Sequence, residues 1–247
     1  MLKERTSLEG KRILVTGGTT GIGRATVHLL VAEGAHVLTF GRDEQSLAEV
    51  LRLAETGRGK VFGTVADVTS REDLARVYSE VDSKLGGIDV LIANAGVVSE
   101  PLDEASDDEW RYVIETNLVG YLAASKAAIE RMKKTGGGHI VVVGSISADI
   151  KSPGESVYAT TKAGNQAFAE TLRKEVASKN IRVSCIQPGA VSSDMQESSS
   201  AEQREKVRKQ EMLEAEEIAE AIQFILTRAE RCDIVNLRIE PLLEDYS

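Results

Sequence analysis

Short runs rich in β-branched residues alternate with longer segments in which apolar side chains recur every three or four positions. The runs cover residues 12–16, 35–40, 60–65, 89–93, 139–143, 181–187 and 234–239. Most are apolar on both faces rather than alternating, the pattern of strands covered on both sides in a parallel sheet. Helical periodicity fills the gaps, over 23–33, 44–55, 71–85, 107–134, 158–178 and 215–227. Strand–helix alternation along the whole chain predicts a doubly wound α/β fold with helices on both faces of its sheet. No linker divides the sequence, and Gly136-Gly137-Gly138 falls where a helix must stop before a strand. One domain over residues 1–247 is expected. The segment 196–212 is polar and follows a Pro-Gly turn. It reads equally well as a flap over a substrate site and as a solvated loop with a surface helix.

Composition narrows the function classes. The chain is 42% hydrophobic and 28% charged, enough for a sizeable core and incompatible with intrinsic disorder. A formal net charge of -9 argues against nucleic acid or an anionic membrane as a main partner, and leaves room for a local basic site for one phosphate. Cys185 and Cys232 are too few for a disulfide framework or a thiolate zinc site, and Cys185 sits in an apolar run as a small hydrophobe. His28, His36 and His139 lack metal-ligand spacing, so no metal is expected. The first residues lead into no apolar signal core, and no run approaches the roughly 18 apolar residues of a membrane span. A cytoplasmic setting is the expectation.

The first strand runs into Thr16-Gly17-Gly18-Thr19-Thr20-Gly21-Ile22-Gly23, with a helix directly after it. Such glycines let the backbone turn sharply and approach a pyrophosphate, which then faces helix-terminal amides. The spacing is Gly17-xxx-Gly21-x-Gly23, not GxGxxG, and a tight turn without ligand is the plain alternative. The second strand ends Phe40-Gly41-Arg42-Asp43. An acidic residue at that terminus would bind the adenosine ribose of NAD; Gly41 with Arg42 instead offers a guanidinium to a 2′-phosphate. NADP is therefore favoured, with NAD possible: Asp43 either reaches the ribose or caps the next helix.

Tyr158-Ala159-Thr160-Thr161-Lys162 opens a helical pattern, so the phenol and the ammonium share a face. A phenol titrates near pH ~10, and a fixed cation nearby favours phenolate and makes Tyr158 a plausible general acid/base. Ser145 closes the fifth strand. The glycine turn, Asp67-Val68, Asn94-Ala95-Gly96, Ser145 and Pro188-Gly189 all fall just after strands, where an open parallel sheet binds its ligands.

In these motifs and their order, the sequence resembles the short-chain dehydrogenase/reductase family, in its short single-domain branch. The match runs over roughly residues 10–195. It implies a Rossmann-like, seven-stranded parallel sheet and an oxidoreductase acting on a small alcohol or carbonyl. It implies further that Gly17, Thr19, Thr20, Gly21, Ile22 and Gly23 surround the pyrophosphate and adenosine ribose. Asp67 and Val68 border the adenine; Asn94, Ala95 and Gly96 floor the cleft. Asn117 matches the residue that holds a helix kink and a proton-relay water. Ser145 binds the substrate carbonyl. Tyr158 donates the proton, while Lys162 binds ribose hydroxyls and depresses the Tyr158 pKa. Pro188, Gly189 and Val191 pack around the nicotinamide, and Ser193 touches its carboxamide.

Departures are Ala93 for a frequent Asn, Ser193 for Thr, and a chain end, Ile234 to Pro241, without the Gly-rich finish. That end resembles a branch acting on small hydroxy acids. The family assembles as homodimers or homotetramers through helices matching 107–134 and 158–178. The face Tyr112, Thr116, Val119, Ala123 and Ala127 is a candidate for that contact. Trp110 reads as packing and the Glu-rich run 211–220 as a solvated helix face. Two rivals stand beside an enzyme of this class. One is a nucleotide-sensing regulator without turnover; the other is an epimerase or dehydratase holding NAD tightly.

Overall fold

The computed structural model describes residues 6–193 and 198–244. Its strands are β1 (Arg12–Thr16), β2 (His36–Gly41), β3 (Lys60–Val65), β4 (Val90–Ala93), β5 (Gly138–Val143), β6 (Ile181–Pro188) and β7 (Asn236–Ile239). All pair in parallel in one seven-stranded sheet, ordered β3-β2-β1-β4-β5-β6-β7. The order reverses between β1 and β4, where Ile13 pairs with Val37 on one side and Val90 on the other. The fold is the Rossmann-like doubly wound sheet.

The helices are α1 (Gly21–Ala32), α2 (Glu44–Ala54), α3 (Arg71–Glu80), α4 (Asp107–Ile114), α5 (Gly120–Thr135), α6 (Ser156–Val176), α7 (Ser200–Arg208) and α8 (Ala215–Leu226). Successive strand residues feed opposite cores. Ile13 and Val15 pack with Leu30 of α1 and Ile222 of α8, whereas Leu14 packs with Tyr78 of α3, Met132 of α5 and Leu172 of α6. This is why the strands read as continuous apolar runs. Cys185 lies in the second of these cores.

The expected helix 107–134 is interrupted. A π turn, Glu115–Val119, separates α4 from α5, and a similar turn, Val81–Leu85, closes the 71–85 segment. The first turn has a tertiary cause. Asn117 is fully buried, and its amide clamps the Val97 main chain, accepting from N and donating to O, both at 2.8 Å. The wider turn aims that side chain inward. Beside it, Gly120 lets Val68 approach; a Cβ there would meet Val68 at 2.9 Å.

Of the polar segment 196–212, residues 196 and 197 lie outside the described residues. The rest holds a helix, α7, fastened by buried Gln203. That side chain accepts from Ser192 Oγ at 2.8 Å and donates to the carbonyls of Ser193 (3.3 Å) and Ser198 (2.8 Å). The surface helix is present, and Ser198 and Lys206 line the cleft described next.

Candidate active site

A cleft of about 800 Å³ opens at the carboxyl ends of the strands. Every predicted cofactor residue lines it, as do Ser145, Tyr158 and Lys162. Asn117 does not. It stands behind the wall and acts on the cleft through Val97, which lines it. Its main-chain carbonyl accepts from Asn165 Nδ2 at 2.9 Å.

At one end lies the β1–α1 loop. Gly17 and Gly21 have φ of 63° and 48°. A Cβ at Gly17 would sit 2.7 Å from Ala95 Cα, so the glycine permits both the turn and the close approach of the Asn94-Ala95-Gly96 segment. That segment is tied back. Asn94 Nδ2 donates to the carbonyls of Thr16 (3.1 Å) and Gly17 (2.9 Å), and Thr16 Oγ1 accepts from the amides of Asn94 and Ala95. Thr20, the N-cap of α1, makes no side-chain cap, and Gly21, Ile22 and Gly23 of the first turn line the cleft.

Position 41 is glycine for a steric reason. A Cβ there would meet Thr19 Oγ1 at 2.4 Å, so the end of β2 has no room for an acidic side chain. Asp43 is the helix cap: it accepts from the Ser46 amide at 2.7 Å. Arg42 borders the cleft and a neighbouring hollow of about 340 Å³ lined also by Thr19, Thr20, Asp43 and Ser46.

The chemical end is built by β5 and α6. Ser145 is buried, in extended backbone just past β5. Its Oγ accepts from the Ser147 amide at 3.1 Å and donates to Ser147 Oγ at 3.2 Å; Ser147 Oγ donates to Glu155 Oε2 at 3.1 Å. Tyr158 lies in the first turn of α6, and Lys162 one turn later is buried. Lys162 Nζ donates to the Val143 carbonyl at 3.1 Å and lies 5.4 Å from the centre of the Tyr158 ring.

Burial dominates the electrostatics of both groups. Burial pushes the Tyr158 phenol up to about 12, with the Ser145 hydroxyl working against the rise and the Glu155 charge adding to it. Burial also pushes the Lys162 ammonium down to about 8. Both groups lose hydration in the same wall, and the ammonium bonds to main chain, not to the phenol.

A correction concerns the helix face proposed for subunit contact. The Tyr112 phenol and Thr116 line the cleft, and Thr116 is buried. Val119 remains on the outer face, exposed with Leu122. The sequence reading also missed Glu155, Ser147 and Glu244. Glu244 accepts from the Ala190 amide at 3.0 Å and lines the cleft opposite Tyr158's helix.

Among the described residues no group of three or more His, Cys, Asp or Glu is placed to hold a metal. No helix among them is long and apolar enough to cross a membrane.

A glycine-built cradle at a helix start, joined to a serine, a phenol and an ammonium in one cleft, marks the nucleotide-dependent oxidoreductases. The short chain dehydrogenase family model matches residues 11–204. The chain is 35% identical over 225 residues to the 3-oxoacyl-[acyl-carrier-protein] reductase of Salmonella typhimurium, covering 89% of this chain and 91% of that one. It is 35% identical over 223 residues to the enzyme of that name from Thermotoga maritima, covering 88% and 91%. A short-chain type dehydrogenase/reductase from Mycobacterium ulcerans superposes with a TM-score of 0.86 at 26% identity, over 95% of this chain and 90% of that one. A Serratia marcescens short-chain dehydrogenase/reductase mutant gives 0.85 at 26%, over 97% and 100%. The chain belongs to the short-chain dehydrogenase/reductase family and is an oxidoreductase acting between CH–OH and carbonyl groups.

Proposed function

We propose that this chain is an NADP(H)-dependent oxidoreductase that interconverts a secondary alcohol and a ketone, with Tyr158 as general acid/base. The observation that carries the reading is the meeting of Ser145, Tyr158 and Lys162 at one end of a cleft whose other end is the glycine loop and Arg42. The residues fit the dinucleotide. Uncapped amides of α1 suit a pyrophosphate, Gly41 excludes a carboxylate at the ribose, and the Arg42 guanidinium offers its donors to a 2′-phosphate. Asp67 and Val68 would flank the adenine; Pro188, Gly189, Val191 and Ser193 would meet the nicotinamide.

When bound, the cofactor supplies or accepts hydride at its nicotinamide ring. The protein does the rest. Ser145 holds the carbonyl oxygen, and Tyr158 gives that oxygen its proton as negative charge develops. Burial keeps the phenol protonated at neutral pH, the state that reduction requires. Lys162 spends one N–H on Val143 and keeps two for the ribose hydroxyls. Asn117 positions the cleft wall through Val97 rather than touching substrate.

The relatives named above carry a 3-oxoacyl group in their names, so a ketone is the substrate class assigned here. Glu100, Glu155 and Glu244 line the cleft with Lys162 and Lys206, and this excess of carboxylates argues against a substrate with a free carboxylate, such as the small hydroxy acids. The enzyme acts in the cytoplasm, in one domain, as a homodimer or homotetramer. The outer faces of α5 and α6, with Val119 and Leu122 exposed, form the contact. The test is NADPH oxidation across a panel of neutral ketones and keto acids. Turnover of neutral ketones, lost in Tyr158→Phe, is expected. Cofactor binding without turnover across the panel would support a sensing regulator instead.

A further inference from the structure

Tyr112 takes no part in the reading so far. It stands on α4, and its hydroxyl lies between two cleft residues from other elements. The Tyr112 Oη accepts from Arg42 Nη1 at 2.7 Å and donates to Asp67 Oδ2 at 3.0 Å. The guanidinium carbon is 5.3 Å from the centre of the Tyr112 ring. Asp67 is itself fixed. Its Oδ1 accepts from the amide and the hydroxyl of Thr69, both at 2.8 Å, and its amide donates to Asp73 Oδ2 at 2.8 Å. A directional chain of hydrogen bonds thus runs from the turn after β3, through a phenol on α4, to the guanidinium after β2.

Arg42 is exposed, and an exposed arginine has more rotamer freedom to lose on binding than most side chains. A group that holds it beforehand removes part of that cost. The phenol suits this role better than a carboxylate would. It occupies one of the five guanidinium donors, leaves the rest, and does not cancel the charge. Arg42 meanwhile borders the 340 Å³ hollow together with the hydroxyls of Thr19, Thr20 and Ser46 and with Asp43, which is engaged as the cap of α2, so there is room beside the guanidinium for a phosphate.

We propose that Tyr112 is a specificity-determining residue that presets Arg42 for the ribose 2′-phosphate and so widens the preference for NADP(H) over NAD(H). The proposal rests on the NADP(H) reading above. The phenol remains a donor to Asp67 at neutral pH, because burial and the Asp67 carboxylate both raise its pKa.

The test is a double-mutant cycle. Dissociation constants of NADPH and NADH are measured by reduced-nicotinamide fluorescence for the wild type, Tyr112→Phe, Arg42→Ala and the double variant. Tyr112→Phe keeps the ring and removes only the bridging oxygen. It should narrow the NADPH-over-NADH preference by about tenfold, the scale of one hydrogen bond to a charged group. In the Arg42→Ala background it should narrow it no further. The proposal fails if Tyr112→Phe weakens both nucleotides equally or adds its full effect to Arg42→Ala. It fails also if both nucleotides bind tighter, which would make the bridge a barrier. An Arg42→Ala variant with unchanged preference would sink the NADP(H) reading itself and this inference with it. A responsive Arg42 with an unresponsive Tyr112 sinks the inference alone.

Discussion

The Lys162 ammonium and the Tyr158 ring share one face of α6, 5.4 Å apart, yet the lysine gives its hydrogen bond to the Val143 carbonyl at the end of β5. The phenol is left with the Ser145 side of the cleft. The cation is therefore anchored independently of the acid it serves, and each can be removed without dislodging the other.

Tyr158→Phe keeps the ring in its packing and removes the transferable proton. The kcat for ketone reduction should fall by roughly 10²–10⁴-fold, the usual worth of a positioned general acid. Circular dichroism and the thermal midpoint should match the wild type. Retention of more than a tenth of the turnover would remove Tyr158 from its role.

Lys162→Met removes a charge that the fold holds at a cost. Burial depresses the lysine pKa from 10.5 to about 8, so below pH 8 the folded state carries an unfavourably placed ammonium, and the penalty fades as pH rises from 8 to 10.5. The methionine variant should be inactive yet more stable at pH 7, by at most about 3 kcal/mol. That advantage should shrink by pH 10. Urea midpoints of both proteins across this range decide the matter, and a constant difference would contradict the linkage.

Glu155→Gln takes away a negative charge that raises the Tyr158 pKa. Reduction needs the protonated phenol, so activity is lost as pH rises through that ionisation. The ionisation of the phenol, followed as the tyrosinate absorbance that disappears in Tyr158→Phe, should move to lower pH in the Glu155→Gln variant. An ionisation that stays in place would show that the carboxylate is not felt at the phenol.

Gly41→Asp should not by itself produce an NADH enzyme. The new Cβ would meet Thr19 Oγ1 at 2.4 Å, and overpacking of this kind costs roughly 1–3 kcal/mol. Thr19→Ala combined with Gly41→Asp removes the two shorter contacts, leaves the Thr19 Cβ at 3.1 Å, and sets a carboxylate where a 2′-phosphate is repelled. The double variant should turn the cofactor preference toward NADH with recovered stability. Measured NADPH and NADH constants, with thermal midpoints, test both halves.

Much of the fold was legible because the sheet is buried on both sides. Residues 12–16 read as a strand and form β1 without a shift, and the other six runs also hold a strand each. The glycine loop, Asn94 and Ser145 were legible for a related reason. Each directly follows a strand, and a parallel sheet delivers all such positions to one edge. The break in the helix 107–134 was not legible. Its apolar period runs on through Glu115–Val119, and the cause, the Asn117 clamp on Val97, is a contact between distant segments. Tyr112 was misread for the same reason. Its hydrophobic spacing suits a subunit face, and nothing near it in the chain announces an arginine seventy positions away. Glu244 gave no local signal at all, because its partner is the Ala190 amide on another turn.

That last contact has a thermal consequence. β7 is one of the two edge strands, partly exposed along its length, and the segment leaving it carries the Glu244 carboxylate into the wall of the cleft. Border strands fray before interior ones. Warming should therefore loosen the hydride-transfer end while the sheet's centre still holds, and the enzyme should lose its rate several degrees before it loses its shape.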